Sequence, residues 1–257
     1  MNRVFFADQL CVKVLPSRAE TGRCAAEEIA ACVRALQDRQ AEINMIFAAA
    51  PSQNEMLEAL IVQPDIRWDK INAFHMDEYI GLPSDAPQSF GRFLRERLFD
   101  KVPFRAVYYI QDASETPEQT VSRYTHLLQA HPVDIVCLGI GENGHIAFND
   151  PPVADFHDPL TLKKVRLDPI CRMQQVHDGC FSTLDDVPQY ALTLTIPALC
   201  RAAHMFCTVP AATKAQAVFD TLTQPVSERV PASVLRTHPH AVLYCDPDSA
   251  RLLPAEG

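Results

Sequence analysis

Three of the chain's eight glycines fall within six residues, at Gly139, Gly141 and Gly144, directly behind the apolar run V-D-I-V-C-L. Among and beyond them stand Asn143, His145 and Asp150. Glycine is required where backbone turns sharply or packs closely against another group. Histidine titrates near neutral pH, and a neighbouring amide or carboxylate can fix its tautomer. The segment G-I-G-E-N-G-H-I-A-F-N-D therefore has the makings of a general acid–base unit. A lone histidine is more often a hydrogen-bonded structural residue, but a glycine-rich turn at a strand end favours function. The same letters fit G-x-G-x-x-G, yet H-I-A-F-N-D-P-P does not open a helix, so a dinucleotide site is not expected.

A second segment, I-N-A-F-H-M-D-E-Y-I-G-L, runs from a strand into the adjacent carboxylates Asp77 and Glu78. In extended chain their side chains point opposite ways, so one can enter a pocket while the other serves structure. The plainer alternative is a solvated acidic turn. A third segment, F-A-A-A-P-S-Q-N-E-M, contains no glycine, and Ser52 with Glu55 spells a capping box that opens a helix. A helix start offers free amides and a positive dipole end to an anion, with Ser52 and Gln53 as additional donors. Pro51 removes one of those amides, and a simple helix cap is the competing reading.

The elements that must position these groups alternate along the chain. Short β-rich runs lie near 10–15, 43–49, 71–75, 106–110, 133–138, 192–196, 204–209 and 241–245. Helical patterns fall at 18–39, opened by Ser17 and Glu20, and near 53–62, 88–99, 117–130, 211–222 and 247–253. This alternation predicts an α/β, Rossmann-like fold: a mostly parallel sheet with helices on both faces and ligands bound where strands end. Residues 1–257 are expected to form a single α/β domain. The proline-rich stretch 150–190 is the least regular, either a lid over the site or an ordinary surface connection.

Composition narrows the partners. With 32 acidic against 23 basic residues the net charge is −9, and no dense Lys/Arg tract appears, so nucleic acid is not an expected partner. Neither a membrane span nor a signal peptide is visible, which places the expected location in the cytoplasm and excludes a membrane partner. The nine cysteines form no C-x-x-C pair and fit no zinc spacing, so they read as small buried thiols and no metal is expected.

The long motifs F-H-M-D-E-Y-I-G-L and L-G-I-G-E-N-G-H-I-A-F-N-D resemble signatures of the glucosamine-6-phosphate deaminase/isomerase family. The pieces A-L-T-L-T-I-P-A-L, V-P-A-A-T-K-A-Q-A-V and H-P-H-A-V-L-Y-C-D follow in the same order, so the resemblance spans roughly residues 43–250. The related 6-phosphogluconolactonases share the glycine turn and its histidine, but F-N-D after the histidine is more similar to the deaminases.

The resemblance implies a Rossmann-like fold, no cofactor, and conversion of glucosamine 6-phosphate to fructose 6-phosphate and ammonia. It casts Asp77 as the base that moves a proton between C2 and C1 of the open-chain sugar. His145 would open the pyranose ring, supported by Asn143 and Asp150. Two of these supports depart from the family's usual choice: Asn143 is often Asp, and Asp150 is usually Glu, one methylene longer. Lys214 matches a phosphate-binding lysine, and His177, with Arg172 nearby, falls where the family has a phosphate-contacting arginine. Glu78, Gly144, Ser52 and Gln53 complete the implied substrate-binding set. The family's allosteric residues are not recognisable in 151–166. The alternatives are the same chemistry on another hexosamine phosphate or related sugar, a 6-phosphogluconolactonase-like hydrolase, or an inactive sugar-phosphate-binding protein. Homo-oligomerisation is left open.

Overall fold

In the computed structural model, residues 3–254 are described; the ends of the expected 1–257 domain, residues 1–2 and 255–257, lie outside it. Eight strands form the main sheet: β1 (Arg3–Ala7), β2 (Leu10–Val14), β3 (Ile43–Phe47), β4 (Ile71–His75), β6 (Ala106–Tyr108), β7 (Ile135–Leu138), β10 (His204–Val209) and β11 (Ala241–Cys245). Their spatial order is β1-β2-β11-β10-β7-β3-β4-β6, and every pairing but β1–β2 is parallel. A small antiparallel sheet of β5 (Asp77–Tyr79), β9 (Tyr190–Leu194) and β8 (Leu162–Arg166) sits beside it.

Both faces of the main sheet are covered, as the nearly continuous apolar strands require. The period of two sorts the strand residues into two cores. Ile43, Met45, Phe47, Ile135 and Cys137 pack with helices α1 (Arg18–Gln37) and α2 (Asn54–Ile61). Ile46, Val136 and Leu138 pack on the other face with α4 (Pro117–Ala130), α6 (Ile196–Cys200) and α7 (Ala215–Thr223). Helix α1 starts as expected, with the Ser17 hydroxyl accepting the Glu20 amide at 3.2 Å; the Glu20 carboxylate, however, turns to Arg23 instead of closing the box. Gly22 lets α1 and α2 touch: a Cβ there would lie 2.5–2.7 Å from Glu55 and Met56.

Five features differ from expectation. The strands β1, β5 and β8 were not visible as periodic runs, and residues 247–253 form turns rather than a helix. The irregular stretch 150–190 holds β8 and a nine-residue helix, α5 (Pro169–His177), started by the Asp168 side chain. The pattern at 88–99 splits into a short α3 (Phe90–Leu94) and a π-helical turn at Arg95–Phe99. Ser52 caps nothing: a 3-10 turn begins at Pro51, and Glu55 pairs with Arg18 at 2.6 Å. Proline at the first position of such a turn loses only an amide that would have had no partner in the turn.

The chain winds outward through β3, β4 and β6, then returns to place β7 on the other side of β3. That reversal leaves a crevice at the carboxyl ends of the strands, where α/β sheets of this kind bind ligands. Among the described residues, no helix is long and apolar enough to cross a membrane.

Candidate active site

A cleft of about 740 Å³ opens at that reversal, walled by residues just past β3, β4, β7 and β10. This volume falls within the range of small-molecule sites, about 300–1,000 Å³. Asp77 and His145, distant in sequence, both line it, as do Ser52 and Lys214.

Asp77 enters because β5 pairs with β9 immediately after β4 ends, fixing which side each residue faces. The residue is 93% shielded, and its carboxyl has no hydrogen-bond partner among the described residues. Burial first, and the nearby charge of Glu78 second, push it well above the ordinary carboxylate range. His75 anchors the backbone here. Its Nδ1 lies 3.0 Å from the Asp77 carbonyl, and its Nε2 accepts the Ile110 amide at 2.9 Å, so Nδ1 carries the proton. Burial lowers this imidazole to about 4.

The glycine turn builds the second half of the site. Gly141 lies against the His145 ring so closely that a Cβ would come within 2.1–2.4 Å of three ring atoms. The ring's Nδ1 faces the Asn143 amide oxygen at 2.7 Å and the Asp150 carboxylate at 2.9 Å. Asn143 also donates to Asp150 at 3.0 Å, which orients its oxygen toward the ring. Burial alone would raise Asp150, but the charge of His145 and hydrogen bonds from His145, Asn143 and the Asp168 amide outweigh it and hold the carboxyl below its usual value. The shorter Asp side chain therefore reaches its histidine. Nε2 has no partner among the described residues and is the nitrogen left for the cleft.

The anion-binding groups expected from the sequence divide. Lys214 is 95% shielded, lines the cleft, and its amine has no hydrogen-bond partner among the described residues. Burial lowers it, offset in part by Asp178 and Glu142. Ser52 lines the same cleft, its hydroxyl accepting from Gln53 at 3.1 Å. Gln53 itself does not line the cleft. It is buried behind Ser52 and ties β10 in place by donating to the Thr208 carbonyl at 3.0 Å.

Four further expected substrate contacts are absent from the cleft wall. Glu78 points away from the cleft and accepts the amides of Tyr79, Phe90 and Gly91, holding the start of α3; burial raises it to about 7, against those bonds. Arg172 donates to the Leu184 and Val187 carbonyls at 2.6 and 2.7 Å, stapling its own segment. His177 is exposed beside Glu142 and absent from the cleft wall. Gly144 turns the backbone at φ +82°, and its carbonyl accepts the Ala232 amide. Missed in the sequence were Arg97, presented by the π-helical turn and held by Asn54 at 2.8 Å, and the wall formed by Gln174, Gln175 and residues 178–182. No spacing rule marks an arginine whose facing depends on one extra residue in a helical turn.

The family model described as glucosamine-6-phosphate isomerases/6-phosphogluconolactonase matches residues 16–244. The chain belongs to this family. A glucosamine-6-phosphate deaminase of Listeria monocytogenes is 34% identical over 212 residues, covering 82% of this chain and 88% of the relative. One of Streptococcus pneumoniae is 33% identical over 193 residues, with 75% and 81% covered. Among solved structures, a monomeric glucosamine-6-phosphate deaminase superposes with a TM-score of 0.84 at 26% identity, covering 94% of this chain and 99% of that one. A 6-phosphogluconolactonase of Thermotoga maritima reaches 0.73 at 22% identity, a likeness of fold. Within this family frame, the parallel sheet and Rossmann-like layering expected from the sequence are both present.

Proposed function

We propose that this chain is a glucosamine-6-phosphate deaminase: it isomerises and deaminates the aminosugar phosphate to fructose 6-phosphate and ammonia, with no cofactor. The observation that carries it is the convergence of an unpartnered carboxyl, Asp77, and a free imidazole nitrogen, Nε2 of His145, on one cleft that also holds the unpaired amine of Lys214.

The steps follow from those groups. His145 takes the proton from the anomeric hydroxyl and returns it to the ring oxygen, opening the pyranose. Its Nδ1–H, held by Asn143 and Asp150, keeps the lone pair on Nε2 and stabilises the cation formed in transit. Asp77 removes the C2 proton as the C1 oxygen takes one up, giving an enolamine, and returns it to C1 as the nitrogen gives one up. The product is a 2-imine. Water adds to C2, the C–N bond breaks, and ammonia leaves with the ketone behind it. Burial, which raises this carboxyl, makes its base form a stronger acceptor for the C2 proton than an exposed carboxylate would be.

Lys214 and Ser52 receive the 6-phosphate, a dianion that compensates the buried ammonium. The cytoplasm is the site of action, and the whole chain acts as one domain with a lid within 150–190. The test is ammonia release from glucosamine 6-phosphate, set against galactosamine 6-phosphate, unphosphorylated glucosamine and 6-phosphogluconolactone hydrolysis. Turnover of the first is expected. Lactone hydrolysis without ammonia release from any hexosamine phosphate would refute the assignment.

A further inference from the structure

Among the described residues, one trio of metal-ligating side chains brings its donor atoms within 4.8 Å of one another: His145, Asp150 and Cys171. All three are buried. Cysteine spacing could not reveal this, because the donors come from a turn, a loop and α5.

We infer that these three side chains form a site for a thiophilic divalent cation of the zinc or cadmium class, and that filling it switches off the acid–base unit. The geometry is close to what such an ion needs. His145 Nδ1 and Asp150 Oδ1 are already 2.9 Å apart. Donors on one tetrahedral zinc, at bond lengths of about 2.0–2.3 Å, lie roughly 3.3–3.7 Å apart, so a trio whose donor atoms lie within 4.8 Å of one another, its closest pair at 2.9 Å, needs shifts on the order of 1 Å to hold one. The Asn143 amide oxygen, 2.7 Å from Nδ1, is a further oxygen donor beside the trio.

Charge favours the same occupant. A divalent ion with one thiolate, one carboxylate and one neutral imidazole is a neutral cluster, the form that burial tolerates. Without an ion, the Cys171 thiol is held protonated, by burial first and by Asp150 second. The donor set, one sulfur, one imidazole and one carboxylate, selects zinc or cadmium over magnesium or calcium. Cys171 lies one helical turn from Gln174 and Gln175, both of which line the cleft.

The protons balance as follows. The thiol releases one proton to solvent as sulfur binds the ion. Nδ1 gives its lone pair to the ion, so the ring proton moves to Nε2. That nitrogen faces the cleft and can then no longer accept a proton from the sugar. The loss of activity rests on the deaminase reading above; the binding itself does not.

The experiment adds one equivalent of cadmium to the full chain and to Cys171→Ser and Cys171→Ala. It follows the ultraviolet thiolate–cadmium absorption and ammonia release, each relative to the same variant without metal. The wild type should gain the band and lose activity, with chelator restoring it, while magnesium does neither. Both variants should need at least about tenfold more cadmium, since even ligand-supporting residues are worth 10–100-fold in affinity. Equal sensitivity of wild type and variants would overturn the proposal, as would a wild type that binds no cadmium. Should the variants fold poorly, X-ray absorption on wild type with one equivalent of zinc decides alone. One sulfur with nitrogen and oxygen ligands supports the site; a shell without sulfur refutes it. An enzyme that binds cadmium at Cys171 but releases no ammonia from any sugar would sink the deaminase reading and leave the metal site standing.

Discussion

Gly141→Ala isolates the acid–base unit from everything else in the protein. The glycine does not occupy the left-handed region, so alanine fits its backbone, and the whole effect is steric. The new methyl would sit 2.1, 2.2 and 2.4 Å from Cε1, Nε2 and Nδ1 of His145. Ordinary carbon contact begins near 3.5 Å, so the ring must retreat by roughly 1.3 Å. It cannot do so and keep Nδ1 at 2.7 and 2.9 Å from Asn143 and Asp150. Misplacement of a catalytic group by 1 Å costs on the order of 100-fold, about 2.7 kcal/mol in the barrier. Steady-state ammonia release should therefore show kcat down by about 100-fold or more, with KM much less affected. Gly144→Ala is the contrast. There φ is +82° and the nearest atom is Val230 Cγ1 at 3.2 Å, so backbone strain should lower stability by about 1–2 kcal/mol and spare kcat. A Gly141→Ala enzyme within threefold of wild-type kcat would refute the placement of His145 at the reacting centre.

Lys214→Met keeps the apolar stem and removes a buried, unpartnered charge. It should raise KM for the sugar phosphate at least tenfold, a loss of about 1.5–3 kcal/mol for a charge-assisted contact, and remove the thermal stabilisation by inorganic phosphate that wild type is expected to show. An unchanged KM would remove Lys214 from the anion site. Asp77→Asn should become more stable relative to wild type as pH rises. The native carboxyl holds its proton above the unfolded value of 3.8, so the folded state binds more protons than the unfolded one, and wild-type stability falls with pH between 3.8 and the raised value. Urea titrations of both proteins across that window would show it, and parallel curves would contradict the burial argument. Gly22→Ala should cost about 1–3 kcal/mol in a thermal melt despite alanine's better helix propensity, because its methyl meets the backbone of Glu55 and Met56 at 2.6–2.7 Å.

What the sequence could disclose depended on whether a signal was periodic or local. The apolar runs of β3, β4, β7 and β10 are legible because buried parallel strands are nearly continuous in apolar residues, and their ends locate the cleft. Strict alternation at Asp77 and Glu78 separated the two roles, though not which residue took which; the amides of Phe90 and Gly91, twelve and thirteen residues on, decided that. The glycine turn announced a close approach, but that the partner was the His145 ring itself is a fact of three dimensions. Arg172 and His177 misled because α5, hidden among prolines, turns one toward carbonyls and the other toward solvent. Asp150 is one methylene shorter than the family's usual Glu, yet its carboxylate lies 2.9 Å from Nδ1, in a segment where Ala147 takes φ +50°.

The role of Asp77 is tested most directly by a single turnover of glucosamine 6-phosphate carrying deuterium at C2. Wild type should show a primary isotope effect on ammonia release, and Asp77→Asn should bind the sugar with similar affinity yet release no ammonia. Release at the wild-type rate from the Asn variant would contradict the mechanism at its centre.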